Sequence, residues 1–549
     1  MTDRYIVGDL VAEFLQRMDV STVFGIVSVH NIPMLDAIGR RNAIRFVTAR
    51  GEYGGGHMAD AYARSSGELG VLVTSTGPGA ANAVPALVEA QFAGTPMLHL
   101  TGQTATSDID KQRGPVHDVP GQTAMLAAVS KAAFRVRSPE TALGTLLKAA
   151  TLALTAPMGP VSVEIPIDIQ RSAIPRPETL DHLARPAPAP IEPDGGSVAA
   201  LADRLRKAKR PMLWVGNGAK FAEPAIRRLM ALGVPVITSW NGRGAVPEDD
   251  SMSLGATLQL PETQTVLATV DLLIVAGCRL RGHETGDLSI SLPELRVQID
   301  VDPAANGRTY GCDLFVHGDA ARTLDLLADT VGPLQVDPTF AGEIASAKSA
   351  GRSAYLAKFG PYTKMADAVR AALPEHGRFV RDVTLAHSTW GHRAFDVHGP
   401  RENIYPVGAA IGPGLAMGIG AALGAGGQKT VCMSGDGGFA MNIAELWTAA
   451  DERADVAFLV MNDQGFGVIK HIQDALYEGR HHFADPTPAD FEALAKSTGM
   501  PYRRIDTIDD LQEALGAAIA HDGPAMVEVD MAKIGPYPRY YVPPPYAKG

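Results

Sequence analysis

Along the chain, short runs of β-branched and other apolar residues alternate with longer amphipathic or alanine-rich runs. This alternation predicts parallel sheets wound with helices, since a strand covered on both faces reads as a continuous apolar run and each crossover needs a helix. In the first block the predicted strands include Thr22 to Ile26, Arg45 to Thr48, Gly70 to Thr74, Met97 to Leu100 and Val161 to Ile165. The second block holds Pro211 to Val215, Val234 to Thr238, Leu272 to Ala276 and Leu295 to Asp300, and the third Thr430 to Ser434, Val456 to Asn462 and Ala525 to Asp530. Two composition shifts separate the blocks. Residues 174–196 carry repeated prolines that forbid regular helix or central strand, and residues 333–362 are a polar mixture suited to a helical connection. The expected architecture is α/β: three doubly wound parallel-sheet domains at 1–173, 197–332 and 363–549, with sites at the carboxyl ends of their strands.

One stretch imitates a membrane span. Val407 to Gly427 contains no charged residue, but it is mostly Gly and Ala, so a tightly packed buried helix is expected and no membrane partner. Length agrees with several cores: 549 residues correspond to about three or four domains. Lys+Arg 49 against Asp+Glu 60 leave a net charge of −11, which argues against nucleic acid as a partner. Cys278, Cys312 and Cys432 are far apart and show no CxxC spacing, so neither a disulfide framework nor a thiolate zinc site is indicated, and a reducing cytoplasm is expected. Asp3, Arg4, Asp9 and Glu13 interrupt the N-terminus where a secretory signal needs an apolar run.

The chemistry concentrates in the third block. The run Thr430 to Ser434 breaks into Gly435-Asp436-Gly437-Gly438, followed by a helical stretch from Met441 to Asp451; a second strand ends at Asn462-Asp463-Gln464-Gly465. Adjacent strand ends can bring a carboxylate and an amide oxygen together, and the glycines let backbone approach a phosphate. Such hard oxygen ligands suit Mg²⁺ bridging a diphosphate, although Gly-Asp-Gly-Gly is also an ordinary turn sequence.

Asp436 and Asn462 lie 26 positions apart and both follow strands. Here the sequence resembles the thiamin-diphosphate enzymes, whose cofactor motif begins with GDG and ends with Asn. The resemblance implies Asp436, Asn462 and the Gln464 carbonyl as Mg²⁺ ligands, with Gly435, Gly437, Gly438 and Gly465 lining the diphosphate. Arg50-Gly-Glu-Tyr-Gly-Gly-Gly-His-Met-Ala-Asp60 resembles the family's catalytic-glutamate segment, which makes Glu52 the carboxylate on N1′ of the aminopyrimidine. That carboxylate shares a proton with N1′ so that the neighbouring imino group can take the thiazolium C2 proton. Ala409-Ala-Ile-Gly-Pro-Gly-Leu415 resembles the segment that holds the cofactor bent: Ile411 lies beneath the rings and the Ala409 carbonyl accepts from the 4′-amino group. Ile411 as plain core filler is the alternative. Ser75, Gly77, Pro78 and Asn82 belong to a GPG-type loop near the pyrimidine, or to a simple strand-to-helix connection. His387 and Ser388 occupy the place where relatives touch the diphosphate.

Within that family the chain resembles the acetolactate synthase, benzaldehyde lyase and oxalyl-CoA decarboxylase branch. The middle block, with Pro211-Met-Leu-Trp-Val-Gly216, has that branch's central-domain pattern, implying FAD, ADP or a purely structural domain. Two departures set it apart from acetolactate synthases: Ile472 stands where they carry a tryptophan, and Arg281 to Gly286 lacks their arginine spacing. Phe24 to Asn31 puts His30 at the place of a catalytic histidine of benzaldehyde lyase, with Gln122 in a glutamine-containing segment like that enzyme's. Val29, His117 and His283 are further pocket candidates beside Ile472. The expected function is a non-oxidative C–C lyase or carboligase acting on 2-oxo acids or 2-hydroxy carbonyl compounds. A simple 2-oxo acid decarboxylase and a 2-hydroxyacyl-CoA lyase are alternatives, the latter with Gly535 to Gly549 as a lid. A cofactor-binding regulatory or structural protein without turnover is the non-enzymatic alternative. The family's site lies between the first block of one subunit and the third of another, implying at least a homodimer and commonly a homotetramer.

Overall fold

The computed structural model describes residues 4–541. Its first sheet contains β1 (Thr22–Gly25), β2 (Arg45–Thr48), β3 (Gly70–Thr74), β4 (Met97–Gln103), β5 (Ala132–Arg135) and β6 (Pro160–Pro166), in the order β2-β1-β3-β4-β6-β5. The middle sheet contains β7 (Pro211–Val215), β8 (Val236–Thr238), β9 (Leu272–Ala276), β10 (Arg296–Asp300) and β11 (Leu314–His317), ordered β11-β10-β9-β7-β8. The third contains β12 (Arg378–Arg381), β13 (Asn403–Ile404), β14 (Thr430–Gly435), β15 (Val456–Asn462), β16 (Tyr502–Ile505) and β17 (Ala525–Asp530), ordered β13-β12-β14-β15-β17-β16. All pairings between these strands are parallel. Counted from each sheet's own first strand, the first and third sheets share one winding, as duplication of a domain would leave. Each sheet reverses direction beside its first strand, and the crevice that such a reversal opens beyond the strand ends is where ligands bind in open α/β sheets.

The first and third domains also share a core. One buried apolar cluster runs from Met58, Tyr62 and Leu72 to Leu415, Met417 and Phe439. The uncharged stretch forms the helix Gly414–Leu423, buried along most of its length, against the helix Glu52–Ser66. Small residues are required there: a Cβ on Gly420 would stand 2.1 Å from the Met58 carbonyl oxygen, and one on Gly418 2.6 Å from Cys432 Sγ. Among the described residues no helix is long and apolar enough to cross a membrane.

The strands singled out in the sequence are present with bounds shifted by up to three residues, and β5, β11, β12, β13 and β16 complete the sheets. Of the helical stretch expected from Met441 to Asp451, only Glu445–Asp451 is helix, and a short helix not expected, Asp436–Ala440, begins on the aspartate itself. The Pro-rich segment holds a short 3₁₀ turn, Glu178–His182, before the helix Gly195–Lys207 begins at its end, and the polar connection at 333–362 carries the helix Phe340–Leu356. Residues 542–549 of the expected lid lie outside the described residues. Its earlier part packs on its own third domain, where Tyr537 is buried, its hydroxyl 2.6 Å from Thr389 Oγ1 and its ring 4.8 Å from that of Tyr362.

Candidate active site

The reversal in the third sheet lies between β12 and β14. β14 and β15 run in register to Gly435 opposite Met461, so Asp436 and Asn462 leave adjacent strand ends. Asp436 is buried; its Oδ2 accepts from Gly465 N at 2.9 Å, while Oδ1 has no hydrogen-bonding partner among the described residues. Asn462 donates Nδ2–H to Glu528 Oε1 at 2.8 Å, which fixes the amide and leaves Oδ1 facing its own loop, 3.1 Å from Gln464 N. Gln464 adopts φ +58° and Gly465 φ +155°. A Cβ on Gly465 would stand 2.5 Å from the Ala484 carbonyl oxygen, so this turn needs glycine. Among the described residues the Gln464 carbonyl accepts only from the Lys470 ammonium, at 3.4 Å.

Burial, then the charge of Asp436, holds the Asp463 carboxyl well above the usual carboxylate range, and burial raises Asp436 as well. Two carboxyl groups competing for charge, an orphaned carboxylate oxygen, an oriented amide oxygen and a weakly engaged carbonyl make a hard-oxygen donor set that fits a divalent cation. The cleft beside them has about 30 Å³ of free space and is lined by Thr384, Ala386, Ile411, Gly437, Asp463 and Phe466, among others.

Ile411 reaches this cleft from a strained loop. Ala409 has φ +62°, a conformation disfavoured for a residue with a Cβ, and Gly412 has φ +105°. Asp382, at the end of β12, holds the loop: both its oxygens accept from Gly412 N, at 3.1 and 3.0 Å, and Ser434 Oγ donates to Oδ2 at 3.2 Å. Burial raises the Asp382 carboxyl to about 6. Asn442 Nδ2 donates to the Gly412 carbonyl at 2.6 Å. Asp382 is a site residue that sequence reasoning missed; its signal was the short apolar run of β12, framed by arginines.

In the first domain Glu52 opens the helix Glu52–Ser66 and is half-buried. Asn82 Nδ2 donates to its Oε2 at 3.2 Å, and a Cβ on Gly79 would stand 2.7 Å from Oε1, so the Ser75–Asn82 loop crosses Glu52 at a glycine. Pro78 and Asn82 remain exposed. Gly77 has φ +57°, and a Cβ there would meet the His117 carbonyl oxygen at 2.2 Å. His30, His117 and Ser75 gather at these strand ends. The two rings lie 5.3 Å apart, and His117 Nδ1 is 3.4 Å from Ser75 Oγ. His30 Nδ1 is buried without a hydrogen-bonding partner among the described residues, and burial lowers that imidazole's pKa. Val29 beside it is exposed. Among the described residues no hydrogen bond joins Glu52 to the Asp436 cleft of the same chain.

Several expected roles need correction. Gln122 is buried with its amide fully engaged: Oε1 accepts from Gly77 N at 2.6 Å and Thr76 Oγ1 at 2.9 Å, and Nε2 donates to Glu164 at 3.0 Å. It supports the loop rather than facing a bound intermediate. The His387 ring is buried in an aromatic junction, 4.2 Å from His392 and 5.6 Å from Tyr405, and the cleft lining stops at Ala386. Ser388 follows His387 outside that lining and bonds Tyr540. His283 belongs to the same junction, 4.6 Å from Trp240, away from His30. Ile472 lies half-buried on the helix Gly467–Leu476 that follows the Asn462 loop.

A larger cavity of about 460 Å³ opens at the reversal of the middle sheet, between the ends of β7 and β9. Its lining includes Arg64, Arg185, Lys220, Asp300 and Arg401, and Phe92, Met158 and Phe221 stand partly exposed around it. Lys220 is buried and, among the described residues, its ammonium has no hydrogen-bonding partner; desolvation, then nearby Arg64 and Arg401, lower it to about 7.

The chain was compared with known families and proteins. Residues 6–133, 198–327 and 386–529 match the models described as thiamine pyrophosphate enzyme N-terminal TPP binding domain, central domain and C-terminal TPP binding domain. A protein described as probable 2-ketoarginine decarboxylase from Pseudomonas aeruginosa is 29% identical over 526 residues, covering 95% of this chain and 93% of its own. Acetolactate synthase isozyme 1 large subunit from Escherichia coli is 28% identical over 536 residues, covering 96% and 94%. A probable acetolactate synthase large subunit from Methanocaldococcus jannaschii is 27% identical over 561 residues, covering 95% and 91%. With three family domains matched in order on three parallel sheets, the chain belongs to the thiamin-diphosphate-dependent enzymes, in their acetolactate-synthase-like branch.

Proposed function

We propose that this enzyme is a Mg²⁺-dependent, non-oxidative C–C lyase or carboligase acting on 2-oxo acids or 2-hydroxy carbonyl compounds. The observation that carries the reading is the unpartnered Asp436 Oδ1 beside the fixed Asn462 amide, with Ile411 in the same cleft. Asp436, Asn462 and the Gln464 carbonyl hold the cation, and the backbone at Gly435, Gly437, Gly438 and Gly465 borders the diphosphate. Bound thiamin diphosphate supplies an electron sink for the carbanion left when a bond to a carbonyl carbon breaks. The protein's part is positional and acid–base. Ile411 would support the cofactor's rings from the cleft, the Ala409 carbonyl would accept from its amino group, and Glu52 would share a proton with its pyrimidine nitrogen. His30, with His117 and Ser75 beside it, carries protons at the substrate.

Glu52 and Asp436 serve one cofactor from two chains. Exposed Val27, Val29 and Ile32 at the first domain's strand ends, and exposed Met441 and Trp447 beside the third-domain cleft, support burial of these faces in a homodimer, itself the unit of a tetramer. The boundaries 1–173, 197–332 and 363–549 go with this division of labour. The central cavity takes a nucleotide, ADP or FAD, with Lys220 at its phosphates. Simple decarboxylation of a 2-oxo acid is the second reading, supported by a similar protein named a decarboxylase and by Ile472 in place of an acceptor-selecting tryptophan.

The deciding experiment incubates the enzyme with thiamin diphosphate and Mg²⁺ against pyruvate, benzoylformate, benzoin and a 2-hydroxyacyl-CoA, with products identified by mass. A coupled product supports carboligation, and an aldehyde alone supports decarboxylation or lysis. Turnover of none of the four would defeat the proposed substrate class.

A further inference from the structure

Two buried carboxylates, one in each cofactor-binding domain, reach across to grip backbone of the other. Glu445, on the third domain's helix Glu445–Asp451, is 2% exposed. Its Oε1 accepts from Arg50 N and Gly51 N, both at 3.0 Å, and its Oε2 accepts from Thr448 Oγ1 at 2.7 Å. Gly51 caps the helix that Glu52 opens, so the amides engaged are those immediately before Glu52, at the positive end of a helix dipole. In the opposite sense, Glu89, on the first domain's helix Val84–Ala93, is 2% exposed and accepts from Val407 N at 2.6 Å and Gly408 N at 2.8 Å. Those amides immediately precede Ala409 and Ile411. Arg64 completes the grip, donating to Glu89 Oε1 at 2.7 Å and to the Tyr405 carbonyl at 2.7 Å.

Both contacts are closely built. A Cβ on Gly54 would stand 2.2 Å from Glu445 Oε1, and one on Gly408 3.0 Å from Glu89 Oε2. Ala409 is held at a positive φ between the Glu89 grip on one side and the Asp382 grip on Gly412 on the other, so its strain is maintained from both ends.

We propose that Glu445 and Glu89 are positioning residues: Glu445 sets Glu52, and Glu89 sets the Ala409–Ile411 loop, through backbone amides rather than by touching the cofactor. The inference rests on the roles given above to Glu52, Ala409 and Ile411. In the two-chain arrangement one chain's Glu52 and Ile411 serve different cofactors, so a single reciprocal clasp fixes geometry in both sites. Hydrogen bonds to buried carboxylates are among the stronger ones, and a small displacement of a proton-sharing group is costly to rate.

The test uses the full-length holoenzyme with thiamin diphosphate and Mg²⁺, following deuterium exchange at the cofactor's C2–H by NMR, with cofactor Kd and thermal melting measured in parallel. Glu445→Met and Glu89→Met remove the acceptor oxygens at near-constant size, and the expected loss of exchange rate at saturating cofactor is about tenfold or more. Glu445→Gln and Glu89→Gln keep one oxygen for the paired amides and are expected to lose only about two- to fivefold. An exchange rate within about twofold of wild type in the folded Met variants overturns the proposal; where a Met variant does not fold, the same rate in its Gln counterpart does so. A loss that disappears at saturating cofactor also overturns it, since that is affinity and not positioning. Glu52→Gln is the control for the underlying reading: wild-type exchange in that variant removes the role of Glu52 itself, whatever the clasp variants show.

Discussion

The third-domain cleft and the central cavity open at equivalent places, each where a parallel sheet reverses direction, yet their chemistry is opposite. The cleft has about 30 Å³ of free space, is closed in by glycines, and presents two carboxyl groups raised by burial, Asp463 also by the charge of Asp436. The cavity holds about 460 Å³ and presents Arg185, Lys220, Arg279 and Arg401, with Lys220 pushed toward neutrality by burial and by arginines. One winding rule places both openings; the residues after the strands decide which ligand charge each receives. An oxygen-rich cleft recruits an anion only through a cation, whereas a cation-rich cavity takes an anion directly.

The sharpest way to break this contrast is to remove the carboxylate whose Oδ1 has no partner among the described residues. Asp436→Ala is expected to weaken binding of thiamin diphosphate with Mg²⁺ by about 1,000-fold and to abolish turnover, because a hard cation loses its anionic ligand. Calorimetry with and without Mg²⁺ checks it. If the contrast is real, the variant leaves ADP binding in the central cavity unchanged; a parallel loss there would mean that the two openings form one site.

Glu52→Gln probes the other half of the cofactor's environment. Turnover is expected to fall by about 100-fold, the usual weight of a general acid–base group, with cofactor affinity held within about threefold because the proposed diphosphate and cation ligands lie in the third domain. Steady-state rates and a cofactor titration separate the two quantities. Full turnover in this variant would remove the proton relay from the reading.

Much of the cleft is legible in the amino-acid sequence, and the reasons lie in particular residues. β14 and β15 are covered on both faces, so Thr430 to Ser434 and Val456 to Asn462 read as continuous apolar runs, and the chemistry at their ends stands out. The edge strands are less legible: Ala132–Arg135 and Tyr502–Ile505 are only half-buried and carry charge, which blurs any period. Misassigned side chains share another cause. Gln122 and His387 sit at the positions expected of them, but whether an amide faces substrate or is consumed by Gly77 N depends on a contact 45 residues away in sequence. Glu89 and Glu445 show the converse. A single carboxylate on an amphipathic run reads as surface charge, and only the packing of one domain on another reveals it to be buried and paired.

The cavity's side of the contrast is tested at Lys220. Lys220→Met preserves length and removes the charge, and it is expected to weaken ADP by about tenfold, the worth of one charge-assisted hydrogen bond. Cofactor affinity and turnover stay within about twofold, since Lys220 does not line the third-domain cleft. Fluorescence titration with ADP checks the first expectation and steady-state rates the second. Unchanged ADP affinity, or no ADP binding by the wild type, would make the cavity architectural.

The smallest expected effect concerns Glu284, an acidic group in the wall of the cationic cavity. It is buried, with Trp240 N donating to Oε1 at 3.0 Å, and desolvation raises its carboxyl from 4.5 to about 7. In a carboxyl group raised by folding, the folded state holds the proton more tightly. Below about pH 4.5 both states are protonated and the group costs nothing; between pH 4.5 and about 7 the unfolded chain ionises first, so stability falls as pH rises; above about 7 the full cost remains. The shift sets a ceiling of roughly 3 kcal/mol, and relaxation around the ionised group reduces what is felt. Glu284→Gln keeps an oxygen for Trp240 N and cannot ionise. It is expected to raise the melting temperature of the central domain by about 2–4 °C at pH 8 and to leave it unchanged at pH 4.5. Calorimetric scans at the two pH values check this, and equal stabilisation at both would assign the effect to packing rather than to charge. ADP adds a further distinction: anionic phosphates in the cavity oppose ionisation of Glu284, so saturating nucleotide should enlarge the stabilisation by Glu284→Gln at pH 8, whereas no such enlargement is expected from ligands of the third-domain cleft.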